Sequence, residues 1–90
     1  MDGAAIVAWN LRRLRVSRGL SQEALAVDAG LDRSYIGRLE RAVENPTVQT
    51  LDKLAATLSV RLIDLVMEPG VNEVPPTTLT AGRKPRNRPR

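Results

Sequence analysis

Between positions 33 and 41 the chain gathers Arg33, Arg38 and Arg41 beside Ser34 and Tyr35. At helical spacing, 34, 38 and 41 fall on one stripe and 33, 37 and 41 on the next, so the three guanidinium groups share one outer face. A guanidinium carries a rigid fork of donors that fits guanine O6 and N7, worth about 1–3 kcal/mol of discrimination when both arms engage. It pairs equally well with phosphate. Three arginines on one exposed face therefore suit a nucleic-acid groove, although an ordinary solvated helix face has the same pattern. Other chemistry is scarce. The chain has no histidine and no cysteine, and it shows neither a phosphate-cradling glycine loop nor paired carboxylates at a credible spacing. An enzyme is not expected, and no cofactor or metal is implied.

Two short helices meeting at a tight corner would position that face. Ala26 falls where such helices cross, and a larger side chain there would push them apart. Gly30, four residues later, supplies the positive φ that a sharp turn needs without a Cβ penalty. Ile36 and Leu39 lie three apart on the inner face of the second helix, and Leu25 and Leu31 complete the apolar set. Gln22 falls in the first turn of the first helix of the pair, where its amide and its backbone N–H can reach one phosphate oxygen.

The stretch from Ser21 to Leu39, SQEALAVDAGLDRSYIGRL, resembles the phage repressor and Cro (XRE-like) group of helix-turn-helix regulators. The likeness runs from about Asn10 to Val66. It is carried in order by NLRRLR, GLSQEALA, SYIGRLER, ENPT, LDKLAATLSV and LIDLV. It implies a sequence-specific transcriptional regulator of double-stranded DNA, a repressor, that reads the major groove with its third helix. On that resemblance Arg33, Ser34 and Arg38 read bases, Arg41 meets phosphate, and Gln22 both contacts phosphate and buttresses the reading helix. Tyr35 either packs at the core rim with its hydroxyl on phosphate or simply packs. Thr47 is counted with the DNA-contacting residues. The resemblance also implies a partly buried salt bridge between Arg15 and Glu40, which makes Glu40 structural.

The expected fold is all-α, a five-helix repressor-like domain. Helix one is predicted over about 3–17, with Asp2 as its cap and Val7, Leu11 and Leu14 on one face. Gly19 stops it. Ser21 caps helix two, which ends near Ala29, and Asp32 caps helix three, which reaches about Arg41. Asn45-Pro46-Thr47 is a stop and restart, with Thr47 capping helix four and Val48, Leu51, Leu54, Ala55 and Leu58 forming its buried stripe. A short helix five covers about 62–67. Four substitutions depart from the family pattern: Ala42 makes a left-handed helix end uncomfortable, Glu44 weakens backbone binding by its loop, and Ser59 and Arg61 alter the entry to helix five. Gly37 reflects either a close approach or tolerance, and tolerance is favoured.

The charge is +4 overall, but residues 1–70 hold nine Arg/Lys and nine Asp/Glu. The excess lies in 71–90, where Arg83, Lys84, Arg86, Arg88 and Arg90 face a single acid, Glu73. Seven of the nine bases of the neutral part fall between Arg12 and Arg41, so a basic face can still steer onto phosphate. The division expected is a DNA-binding domain over 1–68 and a flexible Pro/Arg-rich tail over 69–90, able to track DNA or act as a loose tether. Hydrophobic residues make up 42% and aromatics only 2%, so the core must be aliphatic. The early apolar run 4–9 is far short of the ~20 residues that cross a bilayer, and a cytoplasmic chain without a membrane partner is expected.

Ile63, Val66 and Met67 form a second apolar stripe on helix five. They are read as the interface of a twofold homodimer that sets two reading helices about one DNA turn apart. Covering the core beneath the tail is the other reading of that stripe. The competing functional reading is an antitoxin-type autoregulator whose tail neutralises a toxin partner, though the tail offers only Val71, Val74 and Leu79 as apolar anchors.

Overall fold

The computed structural model describes residues 1–70. The expected tail lies outside the described residues from 71 onward, so its division from the domain is not addressed by the structure. Within 1–70 there are five helices and no strand: α1 (Gly3–Ser17), α2 (Gln22–Ala29), α3 (Arg33–Glu40), α4 (Val48–Leu58) and α5 (Leu62–Val66).

Three helices start where a short polar side chain closes an open amide. Asp2 Oδ1 accepts from Ala5 N at 2.9 Å, Ser21 Oγ from Ala24 N at 3.0 Å, and Thr47 Oγ1 from Thr50 N at 3.1 Å. Each satisfies one of the orphan donors of a first turn. Asp32 also occupies a cap position, but its carboxylate bonds no α3 amide. It accepts the Ser34 hydroxyl at 2.9 Å instead. Gly30, at φ +69°, ends α2 in the left-handed conformation and turns the chain into α3.

Two other left-handed ends are not glycines. Ala42 adopts φ 62° after α3 and Ser59 φ 58° after α4. Their amides complete the helix-end bonds Ala42 N to Leu39 O and Ser59 N to Ala56 O, both 3.1 Å. The Cβ of each is strained against the neighbouring carbonyl.

The core is aliphatic. Leu11, Leu25, Ile36, Leu39, Leu54, Leu58 and Leu65 have essentially no solvent contact, and Ala26 is buried with them where α2 meets α3. α1 packs on α3 and α5, and α4 packs on α2 and α5. The stripe expected for α4 holds at Leu51, Leu54, Ala55 and Leu58 but not at Val48, which is 64% exposed. Val48 is the first residue of the helix, where the chain has only just turned in from Pro46, so it leaves the core to Leu51 and Leu54.

Asn10 locks the last element in place. It is 1% exposed, and its Nδ2 donates to Leu65 O at 3.1 Å and Met67 O at 2.7 Å. The Leu65 carbonyl lies in the last turn of α5, where no helical amide follows to bond it, and Pro69, four residues on, has no N–H to offer. Asn10 supplies the missing donor from α1. Met67 is extended, at φ −80° and ψ 135°, so α5 ends one residue earlier than the sequence pattern predicts.

Candidate nucleic-acid interface

α3 divides cleanly. Ile36 and Leu39 face the core, while Arg33 and Ser34 are exposed and Arg41, just past the helix, is exposed as well. Arg38 lies between these regimes, its side chain 43% exposed. Tyr35 is half-buried, with its ring packed against the core rim, and the Arg38 guanidinium lies over that ring at 5.7 Å from the centroid. Five polar side chains from Arg33 to Arg41 thus occupy the outer half of one short helix and its end.

What holds α3 at its angle is a buried polar knot beneath it. Glu40 Oε2 accepts from Arg15 Nε at 2.7 Å, and Glu40 Oε1 accepts from Arg15 Nη2 at 3.0 Å and from Gln22 Nε2 at 3.0 Å. Arg15 Nη1 donates to Leu20 O at 2.8 Å. The Arg15 and Glu40 side chains are 7% and 2% exposed. One carboxylate near the end of α3 therefore ties together α1, the first turn of α2 and the loop between them. A bidentate guanidinium contact fixes orientation as well as distance, so α3 cannot rotate about its own axis without breaking it.

Gln22 has a double position. Its side-chain amide buttresses Glu40 with one hydrogen, and its backbone N–H belongs to the open first turn of α2. Gly37 is buried where this residue approaches α3. A Cβ there would lie 3.4 Å from Arg41 Nη1 and 3.8 Å from Gln22 Oε1, which is ordinary contact, so the backbone does not require glycine. Thr47 is exposed and caps α4, and its hydroxyl also bonds the Thr50 hydroxyl at 3.0 Å.

Two residues that matter here carry a different meaning from their sequence reading. Glu44, expected only to weaken the loop's hold on phosphate, accepts from Arg38 Nε at 2.7 Å. That hydrogen bond pushes the Arg38 pKa above its ordinary value; desolvation opposes it, and the charges of Glu44 and Asp32 add less to the rise. The second is Asn10, which opens the NLRRLR stretch but is given no role there. A buried Asn in the middle of an amphipathic helix was the available signal, and its partners are backbone carbonyls 55 and 57 residues away that no pattern reveals.

Ile63, Val66 and Met67 are 50%, 44% and 49% exposed. Beside Val66 opens a groove of about 230 Å³ lined by Ala4, Ile6, Val7, Pro46 and Leu51 among others. Among the described residues no group of three or more His, Cys, Asp or Glu can hold a metal ion, and no helix is long and apolar enough to cross a membrane.

A family model described as Helix-turn-helix matches residues 11–65. A protein of Neisseria meningitidis serogroup B named as a hypothetical transcription factor is 41% identical over 68 residues, covering 76% of this chain and 64% of its own length. The crystal structure of the restriction-modification controller protein C.AhdI from Aeromonas hydrophila superposes with a TM-score of 0.67 at 42% identity, over 69% of this chain and 94% of that one. The biofilm regulator SinR in complex with DNA superposes with a TM-score of 0.63 at 33% identity, over 66% of this chain and 95% of that one. This chain therefore spans just under two thirds of the Neisseria protein and nearly the whole of the two solved chains.

Proposed function

The chain belongs to the helix-turn-helix family of DNA-binding transcription regulators, and from that premise we propose that it is a repressor that reads a palindromic operator in the major groove with α3, as a homodimer. The observation that carries this reading is the rigid presentation of Arg33, Ser34 and Arg38 on the solvent side of α3 above the buried Arg15–Glu40–Gln22 knot. Base reading needs donors held in register with base edges, and a helix fixed by three hydrogen bonds to one carboxylate supplies that register.

Around the reading face the same residues assign the backbone contacts. Gln22 has a second amide hydrogen and a first-turn backbone N–H for one phosphate. Arg41, the Tyr35 hydroxyl and Thr47 at the start of α4 serve flanking phosphates. Glu40 takes no part in contact, because it is buried and committed to Arg15. SinR crystallised with DNA, and the likeness of that chain to 66% of this one supports placing α3 at the groove.

Dimerisation rests on Ile63 and Val66 on the last helix and Met67 just past its end, apolar side chains that are each about half exposed. A twofold contact there places two copies of α3 on successive major-groove faces, about 34–36 Å apart. Repression follows from occupancy, since a dimer covering two half-sites denies that DNA to polymerase.

Selection on random duplexes tests the reading. It should return an inverted repeat whose half-sites are about 10 bp apart centre to centre, and Arg33→Ala and Arg38→Ala should each relax one base position per half-site by about 5- to 100-fold. Recovery of no consensus, or of a consensus that neither substitution alters, would refute it. A monomer in equilibrium sedimentation at tens of micromolar without DNA would contradict the dimer.

A further inference from the structure

We propose that Glu44 is a specificity-determining positioning residue, which clamps the Arg38 guanidinium so that only its end-on fork is presented to a base. The proposal rests on the reading of Arg38 as a base-contacting residue and adds to it which edge of the side chain does the reading and what selects that edge.

An arginine can offer a guanine two different pairs of donors: the side pair, Nε and one Nη, or the end pair, Nη1 and Nη2. Here the Nε–H is already committed to Glu44 Oε1 at 2.7 Å, which removes the side pair. The guanidinium also lies over the Tyr35 ring at 5.7 Å, so its plane has a wall on one face. A long side chain that is 43% exposed would otherwise sample many rotamers. With one anchor at Nε and one at the ring, it presents Nη1 and Nη2 outward before DNA arrives.

Glu44 has a second effect through its charge. It stands in the turn that follows α3, six residues from Arg38, and its own side chain is 28% exposed. Beside a duplex, an unpaired arginine at this position would bind any phosphate within reach. The neighbouring carboxylate cancels much of its net charge and repels phosphate, so nonspecific attraction falls while the directed hydrogen bonds to a base edge are kept. Freeing the side chain reverses both effects. Its ordering then has to occur on binding, and the lost preorganisation lowers affinity for the correct site by about 3- to 10-fold. Nonspecific affinity rises, and its dependence on salt steepens by up to about 0.9 in the slope of log K against log salt, one phosphate's worth.

The experiment compares wild type, Glu44→Ala, Arg38→Ala and the double variant by selection on random duplexes, with titrations on the selected site and on an unrelated duplex at several salt concentrations. Alanine removes both the acceptor and the charge, whereas a glutamine would keep an acceptor oxygen for Arg38 Nε. Circular dichroism melts establish that each variant is folded, which is expected because Glu44 lies in a surface turn. The expected result is that Glu44→Ala relaxes the same single base position that Arg38→Ala relaxes, steepens the salt slope on the unrelated duplex, and adds no further relaxation in the Arg38→Ala background. If Arg38→Ala relaxes a position that Glu44→Ala leaves intact, or if the two effects are additive, the clamp is refuted while base reading by Arg38 stands. If Arg38→Ala leaves every base preference unchanged, base reading by Arg38 itself fails, and the clamp falls with it. Uniform relaxation at every position by Glu44→Ala would show a general disturbance of the fold and overturn the proposal.

Discussion

Replacing Glu40 with alanine should cost most of the stability of the domain. The carboxylate accepts three hydrogen bonds, two from Arg15 and one from Gln22, with a side chain only 2% exposed. Its removal leaves the Arg15 guanidinium charged, 7% exposed and held only by the Leu20 carbonyl. A buried charge stripped of its partner costs about 3–5 kcal/mol. For a domain of this size each kcal/mol shifts the melting temperature by about 4–8 °C, so Glu40→Ala should melt at least ~12 °C lower, a large share of the margin that a small domain has at 37 °C. The decisive comparison is Arg15→Met/Glu40→Leu, which replaces the whole pair by apolar groups of similar volume. If the cost of the single variant comes from an orphaned charge, the double variant recovers most of the lost stability in urea titrations followed by circular dichroism. A single-variant loss below about 1 kcal/mol, in the range of exposed pairs, would refute the reasoning. So would a double variant no more stable than the single.

Other substitutions probe separate parts of the structure. Asn10→Ala removes both donors to the Leu65 and Met67 carbonyls and should destabilise the domain by about 1–3 kcal/mol in the same urea titrations, and by loosening α5 it should also raise the dimer dissociation constant measured by sedimentation. Ala42→Gly, at a position with φ 62°, should raise stability by about 1 kcal/mol because glycine carries no Cβ strain there; an unchanged or lower melting temperature would contradict the strain. Met67→Asp should leave the melt of the monomer little changed and weaken both self-association and operator binding. Deleting residues 71–90, which carry five Arg/Lys and one Glu, should flatten the salt dependence of DNA binding, and an unchanged slope would remove the tail from the interface.

Local features explain why so much of this fold is legible in the sequence. Ser21, Thr47 and Asp2 each close an amide three residues on, and Gly30 takes the one conformation the corner requires, so helix starts and the central turn follow from near neighbours. The periodicity of Leu51, Leu54, Ala55 and Leu58 gives a buried face for the same reason. Contacts between distant segments are less accessible. Asn10 reads as one polar residue in a helix until the C-terminal carbonyls of α5 arrive beside it. Glu44 reads as a misplaced acid until the turn after α3 folds it back onto Arg38, a closure made possible by Ala42 entering the left-handed region against its own preference. The Asp32 carboxylate shows the opposite case: a residue of the right type at the right place that bonds a neighbouring hydroxyl rather than the helix amides.

The claim that α3 reads the major groove is tested most directly by methylation interference on the selected duplex, because dimethyl sulfate marks guanine N7 in the major groove and adenine N3 in the minor groove in one reaction. Interference at guanine N7 in two clusters about 10 bp apart, with the cluster signal lost on Arg33→Ala or Arg38→Ala, is the predicted result. Interference confined to adenine N3, or none at any base, would contradict it.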